Sequence, residues 1–195
     1  MATVLDLSPI IHLTREQFYQ LCLVNRDILL ERTAKGELVI VAPVGGEGGA
    51  QESNLIAKVA IWNEQTKLGV VFSSSTIFSL PNNGDRSPDV AWVKLDRWES
   101  LSSLEREGFP PICPDFIIEL RSRTDPSTSS GQRRLKPLQE KMQEYQNSGL
   151  RLGWLINPQD RQVEIYRLGQ TVEVVDSATL SGEDVLPGFN IQIPY

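Results

Sequence analysis

A single carboxylate set into an apolar, β-prone segment constrains this chain most. The segment is Pro114-Asp115-Phe116-Ile117-Ile118-Glu119-Leu120-Arg121, and Glu119 interrupts its apolar run. Residues two apart in a strand share a face, so Phe116, Ile118 and Leu120 fall on one side and Ile117, Glu119 and Arg121 on the other. A charge in such a run is costly unless something pairs with it, and a metal ion is one such partner. A second acid, Asp89, follows Ser87-Pro88 at the start of another expected strand, Asp89 to Val93. Two carboxylates at strand positions, with a cation beside them, are what hydrolysis of a phosphodiester needs. The plainer readings stand beside this one. Glu119 and Arg121 also fit a salt-bridge pair on an amphipathic strand, and Asp89 a turn or edge residue.

The surrounding pattern predicts an α/β architecture with a mixed sheet. Thr14-Arg15-Glu16-Gln17 has the form of a capping box and starts a helix with Phe18, Leu21, Cys22 and Val24 inward. Ile28 to Glu31 and Glu37 to Val41 read as a hairpin about Lys35-Gly36. Pro43 to Gly49 reads as a glycine-rich loop, Gln51 to Thr66 as a helix, and Val70 to Ser73 and Thr76 to Leu80 as short strands. The stretch from Arg123 to Arg134 reads as a loop. A helix with Pro137 in its first turn then runs to Ser148, where Gly149 stops it. Its apolar stripe is Leu138, Met142 and Tyr145. Arg151 to Ile156 reads as a strand, and Val163 to Tyr166 with Val172 to Val175 as a C-terminal hairpin. At 195 residues the chain is expected to form one domain, with residues 1–44 a helix-and-hairpin extension and 45–195 the core and C-terminal hairpin.

Composition excludes several classes. The only histidine is His12, which stands apart from any partner, so Ser-His-Asp and histidine–zinc sites drop out. Cys22 reads as core and Cys113 as a loop residue, with no C-x-x-C pair. No apolar run is long enough to span a bilayer, and the first residues lack a signal-peptide pattern. A soluble cytoplasmic protein without a membrane partner is expected. The net charge of −6 argues against nonspecific coating of nucleic acid. Residues Arg121 to Arg151 nevertheless carry seven basic side chains against three acidic ones, a patch that could meet phosphates or simply face solvent.

Lys141 lies three residues after Leu138 and four before Tyr145, so it borders the helix stripe that packs on the sheet. Its stem could cover apolar surface while its ammonium reaches the sheet edge. The plainer reading is a snorkelling surface lysine. Gly45-Gly46-Glu47-Gly48-Gly49 invites a phosphate-loop reading, which fails because no Gly-Lys-Ser/Thr follows. Glu47 and Glu52 near that helix start are candidate additional acids, or simply residues favoured by the helix N-terminus.

At Asp89, Glu119 and Lys141 the chain resembles the Uma-two family of restriction-endonuclease-like proteins, within the PD-(D/E)XK nuclease superfamily. The resemblance rests on Ser87-Pro88-Asp89, on Cys113-Pro114-Asp115-Phe116-Ile117-Ile118-Glu119-Leu120-Arg121-Ser122 and on Lys141 to Tyr145. It continues through Gly149, Gly153-Trp154 to Pro158 and Val163 to Tyr166. It implies a four-stranded mixed core sheet flanked by helices. It also implies a divalent cation, Mg²⁺ or Mn²⁺, held by Asp89 and Glu119. The position of Glu47 and Glu52 near the helix start makes either a candidate further ligand or a group supporting the ligands. The superfamily pattern places a lysine two residues after the glutamate, where this chain has Arg121, and Lys141 matches a helix lysine that stands in for it. The expected activity is metal-dependent endonuclease cleavage of DNA, with Asp89, Glu119, Lys141 and Arg121 as the catalytic set. A homodimer formed through the C-terminal hairpin would pair two sites. The rival expectation is a catalytically silent module on the same scaffold that binds DNA or a protein.

Overall fold

A computed structural model describes residues 3–7, 10–122, 131–176 and 179–193, and for 131–134 the backbone alone. The chain begins with β1 (Thr3–Leu5), α1 (Arg15–Val24), β2 (Leu30–Arg32) and β3 (Leu38–Ile40). The long helix α2 (Gly46–Thr66) leads to β4 (Gly69–Ser73), β5 (Phe78–Ser79), β6 (Asp85–Arg86) and β7 (Val90–Lys94). Two short helices, α3 (Leu95–Glu99) and α4 (Ser103–Glu107), precede β8 (Phe116–Leu120). Then follow α5 (Gly131–Asn147), β9 (Leu152–Asn157), β10 (Gln162–Arg167), β11 (Glu173–Val175), β12 (Thr179–Ser181) and β13 (Asn190–Gln192).

The central sheet has the order β11-β10-β9-β8-β7-β4. Its β8–β9 pair is parallel and its other pairs are antiparallel. A parallel pair needs a crossover, and α5 lies within it. The expected four-stranded mixed core is present as β4, β7, β8 and β9, and the expected hairpin β10–β11 widens it to six strands. No helix among the described residues is long and apolar enough to cross a membrane.

Alternation on β8 sorts the two faces of the sheet as expected. Phe116 and Ile118 join Leu55, Val59 and Trp62 of α2 in one core layer, which Phe189 and Ile191 close from the C-terminus. Ile117 joins Met142 and Tyr145 of α5 in the layer on the other side. Each such buried side chain contributes about 1.5–3 kcal/mol. Gly153 lets α5 approach β9 closely, because a Cβ there would meet the Met142 methyl at 2.8 Å. The α5 face is therefore the one from which a helix side chain can reach Glu119.

A second sheet, β1-β3-β2-β6-β5, holds the N-terminal residues. The capping box at Thr14 is formed, and Phe18 of α1 packs on Leu30, Leu38 and Ile77. Pairing of Arg32 with Asp85 joins β2 to β6, immediately before the Ser87-Pro88-Asp89 segment. This junction brings the N-terminal hairpin to the end of the sheet that carries Asp89.

Three local expectations are corrected. Gly46 to Gly49 form the first turn of α2 rather than a loop, with Gly45 in extended conformation as the cap. Pro137 lies inside α5, because the helix starts at Gly131. Proline removes a donor there but keeps a helical φ. Val24 is exposed, since α1 turns that edge to solvent. Cys113 is in a connector yet fully buried in the α5-side core, and both cysteines are free thiols.

Candidate active site

Strand register brings the two acids together. In the β7–β8 pair, Val90 faces Ile118 and Ala91 faces Ile117. Extending that ladder by one residue puts Asp89 across from Glu119 on the α5 side. Directly opposed side chains have Cβ atoms about 4.5–5.5 Å apart, and like charges so placed repel. The Leu120 N–H donates to Asp89 Oδ2 at 2.6 Å and ties the start of β7 to the end of β8.

Lys141 projects from α5 into the same place. Its Nζ is 2.7 Å from Glu119 Oε1 and 2.8 Å from Glu31 Oε1. It also donates to the Ser87 carbonyl at 2.8 Å. Glu119 is 2% exposed, so this ion pair lies out of water. Glu31, on β2, accepts from Arg86 Nη1 through Oε2 at 3.0 Å and from the Ser87 N–H through Oε1 at 3.1 Å. Arg86 Nε then donates to Glu144 Oε2 at 2.7 Å, one turn beyond Lys141 on α5. Ser74 links the rim of the site, since its hydroxyl donates to Glu52 and its carbonyl accepts from the Ser87 hydroxyl.

The carboxylates differ in their electrostatics. Burial, reinforced by the charges of Asp89 and Glu31, pushes Glu119 up to about 8 despite Lys141. Burial also pushes Asp89 up to about 6, with Glu52 and Glu31 adding and Lys141 and the Leu120 N–H opposing. Glu31 moves the other way. Burial raises it, but Lys141, Arg86 and the Ser87 N–H outweigh that and hold it below its ordinary value. Burial works against the Lys141 charge, yet Glu119, Glu31 and Asp89 prevail and keep the ammonium protonated.

The cluster carries unbalanced charge. Among the described residues, Glu144, Glu31, Glu119 and Asp89 face only Arg86 and Lys141, an excess of two negative charges when all are ionised. A divalent cation beside Asp89 and Glu119 would cancel that excess, and hard carboxylate oxygens suit Mg²⁺ or Mn²⁺. Among the described residues, no group of three or more His, Cys, Asp or Glu forms a metal cage. Mg²⁺ needs none, because it is commonly held by one or two carboxylates with water and substrate phosphate. The residues present fit such an ion.

The structure brings together Asp89, Glu119 and Lys141, with half-buried Glu52 at the rim. Glu47 lies exposed in the first turn of α2. Arg121 lies just past the end of β8, and its Nη1 donates to Asn157 Oδ1 and to Asp160 Oδ2, each at 3.1 Å. Its guanidinium is thus engaged at the β9–β10 turn, where Asp160 compensates a buried cation. Residues 123–130 of the expected loop lie outside the described residues, and 131–134 begin α5 instead of continuing it. Sequence reasoning missed Glu31, Arg86, Glu144 and Tyr145. The buried Tyr145 hydroxyl has no hydrogen-bond partner among the described residues, and burial with the nearby Glu119 and Glu31 charges keeps it protonated.

A mixed sheet carrying an acid pair on adjacent strands, with a lysine from the crossover helix, defines a restriction-endonuclease-like protein. Residues 15–194 match the family described as "Putative restriction endonuclease" (Uma2), and the chain belongs to that family. The fold is also similar to the crystal structure of a "putative nuclease belonging to DUF820" from Anabaena variabilis ATCC 29413. That likeness has a TM-score of 0.68 at 19% identity, covering 84% of this chain and 87% of that one. No curated protein matches the chain. Family membership supports the nuclease class.

Proposed function

We propose that the chain is a divalent-cation-dependent endonuclease that hydrolyses phosphodiester bonds in DNA, with Mg²⁺ as its ion and Mn²⁺ as a substitute. The observation that carries this reading is the Lys141 ammonium 2.7 Å from Glu119, on the strand next to Asp89. Asp89 and Glu119 are the ligands, and Glu52 or Glu47 could supply a further carboxylate directly or through water. A bound divalent ion supplies Lewis acidity toward the scissile phosphate and a lowered pKa for its water.

Lys141 takes the place that the superfamily pattern gives to the position of Arg121. A protonated ammonium is a donor rather than a base. Its role is to orient the attacking water or to stabilise charge developing on the phosphate. It already donates to the Ser87 carbonyl and lies at ion-pair distance from Glu31 and Glu119. Contact with a phosphate therefore requires exchanging one of these partners. The net charge of −6 and the engagement of Arg121 by Asn157 and Asp160 favour the second reading, a catalytically silent module that binds DNA or a protein.

Incubation of duplex DNA with Mg²⁺ or Mn²⁺ separates the two. Cleavage by the wild type, lost in Asp89→Ala and Glu119→Ala, supports the nuclease. Equal activity in all three proteins contradicts it. DNA binding without cleavage supports the silent module.

A further inference from the structure

Glu31 comes from the hairpin that the sequence assigns to an extension ahead of the core, yet it touches the centre of the site. We propose that Glu31 is a positioning residue: it acts as the counterion of Lys141, leaving the charge of Glu119 and Asp89 for a divalent cation. This rests on the cation-dependent reading above.

Three observations carry the inference. First, the Lys141 ammonium lies almost equally between two carboxylates, 2.8 Å from Glu31 and 2.7 Å from Glu119. Without Glu31 its whole charge would fall on Glu119. Second, Glu31 grips Ser87 from both sides. It accepts the Ser87 N–H directly and reaches the Ser87 carbonyl through Lys141. Ser87 stands two residues before Asp89, so one carboxylate fixes the lysine and the approach to the first ligand together. Third, β2 is a firm mount. Leu30, Glu31 and Arg32 are all buried, and Arg32 on the opposite face pairs with Asp85 of β6 at 2.7 Å.

A purely structural role would need less. Arg86, shared with Glu144, already gives Glu31 one cation at 3.0 Å, and the adjacent Arg32–Asp85 pair shows that this junction can be closed by one cation and one anion. Glu31 instead takes a second cation, the one that also meets Glu119. A positioning residue of this kind acts through Lys141 without touching DNA.

Glu31→Gln tests this, because an amide oxygen at Oε1 keeps acceptors for Lys141 and Ser87 while the charge is lost. Mn²⁺ affinity by calorimetry, kcat and KM on duplex DNA, and the melting temperature are measured for wild type, Glu31→Gln and Glu31→Asp. Glu31→Gln should lower Mn²⁺ affinity and kcat by about tenfold each, as loss of an outer partner of a metal site does, with KM for DNA little changed. Glu31→Asp should restore most of both. A Glu31→Gln protein with a lower melting temperature but wild-type Mn²⁺ affinity and kcat overturns the proposal.

Should Glu31→Gln fail to fold, Mn²⁺ affinities of Glu31→Asp, Lys141→Met and the double variant decide. Coupling between the two substitutions supports the counterion role, and strict additivity overturns it. If the wild type takes up Mn²⁺ but cuts no DNA, the nuclease reading fails while the Mn²⁺ affinities still judge Glu31. If it takes up no Mn²⁺, the counterion role falls too.

Discussion

Glu31 and Arg32 are neighbours on β2, and Asp85 and Arg86 are neighbours on β6. Alternation sends one ion pair to each face of this junction. On one face, Arg32 meets Asp85, and each finds further partners, the Leu13 carbonyl for Arg32 and the Ser79 hydroxyl for Asp85. One cation answers one anion, and the pair closes. On the other face, Glu31 and Arg86 join Lys141, Glu144, Glu119 and the nearby Asp89, and among these described residues acids outnumber bases by two. Both clusters are buried, so burial of charge does not mark the functional one. The imbalance does. A balanced buried pair holds strands together, whereas on the proposed function the unbalanced one takes up an ion that the fold itself does not supply.

The largest expected effect separates the two faces by activity. Asp89→Ala and Glu119→Ala should each lower Mg²⁺-dependent cleavage by about 100-fold or more. Asp85→Ala should leave cleavage per folded molecule close to wild type. Loss of cleavage in a well-folded Asp85→Ala protein would break the distinction.

Stability should show the reverse order. Removing one partner of a closed buried pair strands the other, so Asp85→Ala should cost about 3–5 kcal/mol in a urea titration. Glu119→Gln, measured without divalent ions at pH 8, should be at least as stable as wild type, because it removes one of the excess charges. A Glu119→Gln loss equal to that of Asp85→Ala would erase the contrast.

The pH profile sharpens the comparison further. Folded Glu119 keeps a proton up to about 8 and folded Asp89 up to about 6, against ordinary values of 4.5 and 3.8 in the unfolded chain. The folded state then binds more protons than the unfolded state across that window, so stability falls as pH rises. The contribution is fully present below the unfolded values and is lost as pH rises through the folded ones. Glu31 has the opposite sign, since its lowered value is a stability lost as pH falls. Melting temperatures without divalent ions should therefore decline from about pH 5 to about pH 8. Mg²⁺ should flatten that decline, and Glu119→Gln should remove much of it. The smallest effect belongs to a surface pair. Lys136 and Glu140 are both well exposed, and Lys136→Gln should shift stability by less than about 0.5 kcal/mol.

Much of this comparison was legible in the sequence, and the rest was hidden for physical reasons. Alternation along Phe116 to Leu120 placed Glu119 on the same side as Ile117, and helix phasing placed Lys141 beside Met142 and Tyr145. Both are local periodicities, and both appear in the core layers. Arg121 followed the same alternation, but its position past the end of β8 let the Asn157–Asp160 turn capture it. Glu31 had no such signal. Its partners lie 55 to 110 residues away along the chain and meet it only through the β2–β6 pairing. The adjacent opposite charges Glu31-Arg32 in an apolar hairpin strand were the one trace available. The glycines at 46, 48 and 49 misled because glycine disfavours helix on average, whereas the rest of α2 carries them into its first turn.

The most direct test is a calorimetric Mg²⁺ titration of the wild type, Asp89→Ala and Glu119→Ala. The unbalanced cluster predicts uptake of one ion per chain by the wild type, and loss of that uptake in both variants. No uptake by the wild type at millimolar Mg²⁺, or equal uptake by all three proteins, would contradict it.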